Sequence, residues 1–281
     1  MELEQLLQRS WHSSARLEGD ELVSEAVYCG TDRELTARLA VELGSFRVKK
    51  AYWEVYRAPG FPLPQIFEIK DLPGLVAYFG SGGELRQKLA YLNDPLATNL
   101  FSDAITGVIQ AETFLYTSRG FPTSEVYEKN WREMFKGSCR YYSNLDRVTR
   151  DWFTHLTYDE RLGTLFNRVK TQILYRKVEA GQEVYTLSGQ IIDSFHGVAA
   201  ETVFDKDFRV KDAKGFLLRV PDDVCRESAD YLTEIVGKDL SSLTKKEVAT
   251  LLGLGQGCTH VIDLMADGAD TLRLFKAGFQ I

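Results

Sequence analysis

Two histidines and two cysteines in the last third of the chain are the residues best suited to chemistry: His196, Cys225, Cys258 and His260. Each falls near the end of an expected element. Cys258 and His260 occupy a Gly-Gln-Gly-Cys-Thr-His turn that opens an expected helix. Unpaired N–H groups at such a start lower a thiol's pKa and favour the thiolate, the form that ligates soft metals. Cys225 lies in the first turn of another expected helix. His196 follows Asp193 at a strand end, where a carboxylate can hold an imidazole tautomer from behind. Two thiolates and two imidazoles make a complete tetrahedral set for zinc, and equally a cradle for iron or a small iron–sulfur cluster. The spacings of 29, 33 and 2 residues, with no C-x-x-C pair, match no common zinc finger.

Other chemistries compete for the same residues. Three of the four ligands around zinc would leave an open position to activate water, with Asp193 or Asp263 as base. Cys258 with His260 or His196 could instead form a metal-free nucleophile pair. Cys29 and Cys139 read as buried apolar filler, with Cys139 alternatively a thiol near the site. Gly80-Ser81-Gly82-Gly83 and Val236-Gly237-Lys238-Asp239 lack the phosphate-loop spacing, and neither G-x-G-x-x-G nor G-x-S-x-G occurs. No nucleotide cofactor is therefore expected, and no serine hydrolase of the elbow type.

Expected strands and helices position these residues. Residues 182–192, 197–204 and 208–219 alternate or carry β-branched and aromatic residues between turn signals, predicting three antiparallel strands. Helices follow over 225–236, 242–252 and 258–274, the last with apolar positions 261, 262, 264, 265 and 269 on one face. Earlier in the chain, strands are expected near 21–29, 34–42 and 46–57, then helices near 84–92, 103–117 and 124–136. A charged helix over 145–155 would link the halves.

Residues 46–59 and 208–221 are identical at Phe46/Phe208, Arg47/Arg209, Val48/Val210, Lys49/Lys211, Ala51/Ala213, Arg57/Arg219 and Pro59/Pro221. That match predicts an internal duplication. The fold class expected is α+β, a tandem of two related β-β-β-α-α-α units, each a small antiparallel sheet covered by helices. Residues 1–150 would form the first copy, with an insertion at about 60–102, and residues 151–281 the second, which carries the site. Cys139 aligns with Cys258 in this scheme, but Tyr141 stands where His260 does, so the first copy would have lost the ligand set.

The chain has 281 residues, 44% hydrophobic and 26% charged, enough to bury a core. Its net charge of −6 disfavours nucleic acid as a partner, leaving a protein partner or a second copy of the chain. No run of apolar residues is long enough to span a membrane, and the acidic start does not resemble a signal peptide. A cytoplasmic protein with four free thiols is the expectation.

Between residues 189 and 270 run Asp193 and His196, then Phe204-Asp205-Lys206-Asp207, Pro221 and Cys225, Ile235-Val236-Gly237-Lys238, and Gly257-Cys258-Thr259-His260. This order resembles an uncharacterised bacterial family marked by a late Gly-Cys-Thr-His motif. More distantly it is similar to the U-type iron–sulfur cluster scaffold proteins, whose fold is a three-stranded antiparallel sheet with helices packed on it. The second resemblance implies that His196 takes the first ligand's place, Cys225 the second's, and Cys258 with His260 that of the late pair. Here the first ligand is histidine rather than cysteine, with its aspartate before it, and the late pair is Cys-x-His rather than adjacent His-Cys. The function implied is a scaffold or carrier for a metal or iron–sulfur cluster. A zinc-dependent hydrolase or lyase, a thiol enzyme and a metal-free binding protein are the alternatives.

Overall fold

The computed structural model describes residues 3–60, 64–150, 161, 163–179 and 181–278. Nine strands lie among them: β1 (Leu3–Glu18), β2 (Glu21–Gly30), β3 (Glu34–Glu42), β4 (Val48–Arg57), β5 (Gln65–Glu68), β6 (Thr164–Glu179), β7 (Gln182–Asp193), β8 (Gly197–Phe204) and β9 (Val210–Arg219). They form one sheet in the order β5-β4-β3-β2-β1-β6-β7-β8-β9. This overturns the expected tandem of two separate β-β-β-α-α-α units. The three-strand meanders are present, but each gains a long preceding strand, β1 or β6, and both belong to the one sheet.

Of the three strands not expected from the sequence, β1, β5 and β6, the two long ones keep the period of two in burial while losing it in hydrophobicity. On β1 the inward residues are Leu7, Arg9, Trp11, Ser13 and Ala15. On β6, Arg168, Lys170, Gln172 and Leu174 are buried. A strand signal rests on apolar residues at alternate positions, and here charged and amide side chains occupy several of them. Their partners lie on a helix remote in sequence, α5 (Thr259–Lys276). Lys170 pairs with Asp267 at 3.1 Å, the Gln172 amide donates to the Leu264 carbonyl at 2.8 Å, and Arg9 donates to Thr271 Oγ1 at 3.2 Å.

Both meanders turn through a left-handed phenylalanine where the repeated motif begins, the first turn one residue longer than the second. Phe46 and Phe208 adopt left-handed backbone, with φ of 54° and 59°. Phe46 N–H donates to Glu42 O and Phe208 N–H to Asp205 O, at 2.8 and 3.0 Å. Val48 and Val210 donate to Leu75 O and Lys238 O, and accept from Gly74 and Gly237. A cation caps each phenylalanine ring, Arg119 over Phe46 and Lys276 over Phe208. The turns delay β4 and β9 by two residues from their expected starts.

The helices include α1 (Gly82–Leu89), α2 (Pro95–Ala111), α3 (Ser124–Phe135) and α4 (Lys245–Leu251). Helix α2 begins eight residues earlier than expected, because Asp94 caps it by accepting from Leu96 N–H at 2.9 Å and Pro95 fits the first turn. The expected helix over 225–236 is instead a run of 3-10 turns, Asp223–Ile235. Of the expected linking helix, residues 145–150 are turns and irregular backbone, and 151–155 lie outside the described residues. Helix α5 buries Val261, Ile262, Leu264, Met265 and Ala269, the face expected. Among the described residues, no helix is long and apolar enough to cross a membrane.

By contacts the described residues cluster into two compact units. One comprises those of 1–10, 130–156 and 169–281, the other those of 11–129 and 157–168.

Within the first unit, Asp222 caps the 3-10 segment and ties residues 149–150 to it. Its carboxylate accepts from Val224 N–H, Thr149 N–H, Thr149 Oγ1 and Arg150 N–H, all at 2.9–3.0 Å. Burial would raise its pKa, but these donors outweigh it and hold the carboxyl below its usual range. A lowered folded value means that this stabilisation is present above the unfolded value, about 3.9, and is lost as pH falls through the folded value. Asp222→Ala should lower the unfolding free energy by about 2 kcal/mol at neutral pH. In denaturant titrations the difference from the native chain should shrink towards zero in strong acid. An equal difference at both pH values would show that the charge contributes nothing.

Candidate metal centre

Alternation along β7 places Tyr185, Leu187, Gly189, Ile191 and Asp193 on the inward face. The strand therefore ends by directing a carboxylate into the core, and the turn to β8 is built on it. Asp193 Oδ1 accepts from Phe195 N–H at 2.8 Å and His196 N–H at 2.6 Å, while Asp193 N–H donates to His196 O at 2.9 Å. From β9, the Arg219 guanidinium donates to the carbonyls of Asp193 and His196. The turn that carries His196 is thus held from both sides.

His260 comes from the other direction, in the first turn of α5. Cys258 is the N-cap of that helix, and its carbonyl accepts from Ile262 N–H at 3.0 Å. The preceding turn is tight: a Cβ on Gly257 would stand 1.8 Å from Leu252 O, so only glycine fits.

One carboxylate joins the two imidazoles. Asp193 Oδ1 lies 3.2 Å from His196 Nδ1, and Oδ2 lies 3.4 Å from His260 Nε2. The rings lie against each other at a tilt, centroids 4.1 Å apart and planes 32° from parallel. On the far side of its ring, His260 Nδ1 is 4.0 Å from Cys258 Sγ. Asp193, His196 and His260 each offer a ligand atom within 4.8 Å of the others.

The charges of this group reinforce one another. Burial would lower the His260 pKa, but Asp193 on one nitrogen and Cys258 on the other raise it to about 9. Burial would raise the Cys258 thiol, but the His260 imidazole and the N–H groups of Val261 and His260 outweigh it and bring the thiol below its ordinary value. Cys225 goes the other way, pushed up to about 12 by burial, with Cys139 and Cys258 adding to the shift.

Of the residues singled out in the sequence, the structure brings His196 and His260 together on Asp193, with Cys258 beside His260 alone. Cys225 is buried in the core near Cys258 and Cys139 rather than among the imidazoles. Asp263 is engaged elsewhere, in an ion pair with Lys245 at 2.7 Å. Cys139 packs on the same core as Cys258 instead of occupying a corresponding place in a first copy. Cys29 is exposed on β2 and is not buried filler. From the sequence Asp193 is expected either to support His196 or to act as a base beside zinc, with no bond to His260. Its bond to His260 was the missing link, and the alternation that ends on Asp193 is the signal that would have turned it inward.

No curated protein matches the chain. A domain of the family described as a protein of unknown function, DUF2889, is found at residues 176–273, a stretch that contains Asp193, His196, Cys225, Cys258 and His260 and excludes Cys139.

Proposed function

We propose that this protein binds a divalent transition-metal ion, zinc foremost, through His196, Cys258 and His260, with Asp193 holding both imidazoles from behind. The observation that carries this reading is the single carboxylate shared by two histidines. It occupies Nδ1 of His196 and Nε2 of His260, which leaves Nε2 of the first and Nδ1 of the second to coordinate. The latter already faces Cys258 Sγ. A carboxylate behind a ligating imidazole fixes the tautomer and strengthens the ligand. Two imidazoles and a thiolate suit a borderline ion such as zinc. An iron–sulfur cluster, held as a rule by four thiolates, finds one thiol beside the imidazoles here.

Cys225 is the remaining donor of the expected set. Burial keeps its thiol protonated in the free protein, so a centre of three protein ligands leaves the fourth position to water or substrate. When bound, the ion would supply Lewis acidity there. Asp193 orients the imidazoles, and the Arg219 bonds to the Asp193 and His196 carbonyls keep the turn from opening.

A second reading has its own support. Cys258 Sγ, His260 and Asp193 follow the order nucleophile, base and orienting carboxylate, with the thiol at a helix N-terminus. That arrangement fits metal-free thiol catalysis. We further read the two Phe-Arg-Val-Lys turns as descendants of one duplicated segment, on the strength of their matching hydrogen bonds.

The native chain should retain about one zinc ion after purification and, with cobalt(II) in its place, show ligand-field and thiolate charge-transfer bands. Cys258→Ser should abolish the charge-transfer band. Asp193→Asn should weaken metal affinity about 10- to 100-fold by freeing both imidazoles, and should lower the stability of the metal-free chain by about 1–3 kcal/mol in denaturant unfolding. Absence of both metal and cobalt bands, with alkylation of Cys258 that slows in His260→Gln, would replace the metal reading with the thiol one.

A further inference from the structure

We infer that Cys139 is the resolving partner of Cys258: a hydroperoxide oxidises Cys258, and the two sulfurs close into a disulfide that withdraws Cys258 from the metal. The withdrawal rests on the proposed metal reading; the disulfide does not.

The loop that carries Cys139 is seated on the loop that carries Cys258. Arg140 N–H donates to Gly257 O at 2.8 Å, and Ser143 Oγ donates to Gly255 O at 2.6 Å. The approach is close enough that a Cβ on Gly255 would stand 2.0 Å from Gly137 O. The first of these bonds joins the peptide just after Cys139 to the peptide just before Cys258. Covalent geometry then limits the two Cα atoms to at most roughly 8 Å apart. A disulfide needs about 4.4–6.8 Å, within reach of a small loop adjustment and side-chain rotation. Cys139 and Cys258 are partly buried residues at the edge of the core, whereas Cys225 is 6% exposed within it, so the first two are the nearer to an oxidant in solvent.

The chemistry balances in two steps. The Cys258 thiolate attacks one peroxide oxygen, the O–O bond breaks, an alkoxide or hydroxide leaves, and the sulfur keeps the other oxygen as a sulfenic acid. The Cys139 sulfur then attacks that sulfur, the S–O bond breaks as the S–S bond forms, and the oxygen departs as water with the thiol's proton. Two electrons pass from the thiols to the peroxide.

The test is peptide mapping by mass spectrometry of the full chain, stripped of metal and treated with a small excess of hydrogen peroxide. The result expected is a linked pair of peptides containing Cys139 and Cys258, two hydrogens lighter than their sum and separated by dithiothreitol. The same link should form in Cys225→Ser, and Cys139→Ser should instead give a dimedone adduct on Cys258. A native chain whose Cys258 proceeds to sulfinic acid as fast as that of Cys139→Ser, or links to Cys225, would overturn the inference. Because the mapping is done on the native chain, it stands even if a variant fails to fold. Cobalt(II) added to the oxidised chain should give no charge-transfer band until reduction; undiminished binding by the disulfide form would overturn the withdrawal. Failure of the reduced native chain to bind cobalt(II) would sink the metal reading and leave the disulfide untouched.

Discussion

Polar groups on the inward faces of β1 and β6 would forbid those strands unless something met them, and helix α5 meets them. Lys170 finds Asp267, Gln172 finds the Leu264 carbonyl and Arg9 finds Thr271. A buried donor or acceptor without a partner costs about 1–3 kcal/mol, more when charged, so these pairings decide whether the strands can form at all. They also fix the helix. A hydrophobic face alone tolerates sliding along a sheet, because apolar contact is non-directional. Two directional hydrogen bonds and an ion pair along one helix do not.

That fixed register is what delivers the first turn of α5 to Asp193. The carboxylate comes from the end of β7 and the imidazole of His260 from the helix, so their meeting depends on the placement of one element upon the other. The field that results is local and coherent: a carboxylate between two imidazoles and a thiol at the outer nitrogen of one. Asp193 and Cys258 favour the charged form of His260, and His260 favours that of Cys258. Cys225, which lacks such a neighbour and is surrounded by apolar side chains, stays a thiol.

The sequence disclosed the local parts of this arrangement and concealed the distant ones. Strands β2, β3, β7 and β8 alternate clearly and were legible to within a residue. The face of α5 was legible too, since its apolar spacing answers to a single core. Strands β1 and β6 were not, because Arg9, Arg168, Lys170 and Gln172 fill inward positions that a reader assigns to solvent. For Arg9, Lys170 and Gln172 the partner lies on a helix far along the chain. The same limit applied to the site. Cys258 and His260 are two residues apart and His196 lies three from Asp193, so each pair was visible. The union of the pairs through Asp193 was not, and Cys139 was aligned with Cys258 when it in fact lies beside it.

The described residues of 1–10 group with those of 169–281, and the Arg9 to Thr271 bond joins positions 262 apart in sequence. Arg9 of β1 leaves the ribosome 262 residues before Thr271 does. Through that interval β1 is a strand-forming segment whose buried arginine has yet to meet its partner on α5. Contacts so remote in sequence slow folding and leave strand edges open to other chains. The alternating Arg and Ser that obscure β1 to a reader also make it a poor template for apolar aggregation during that wait.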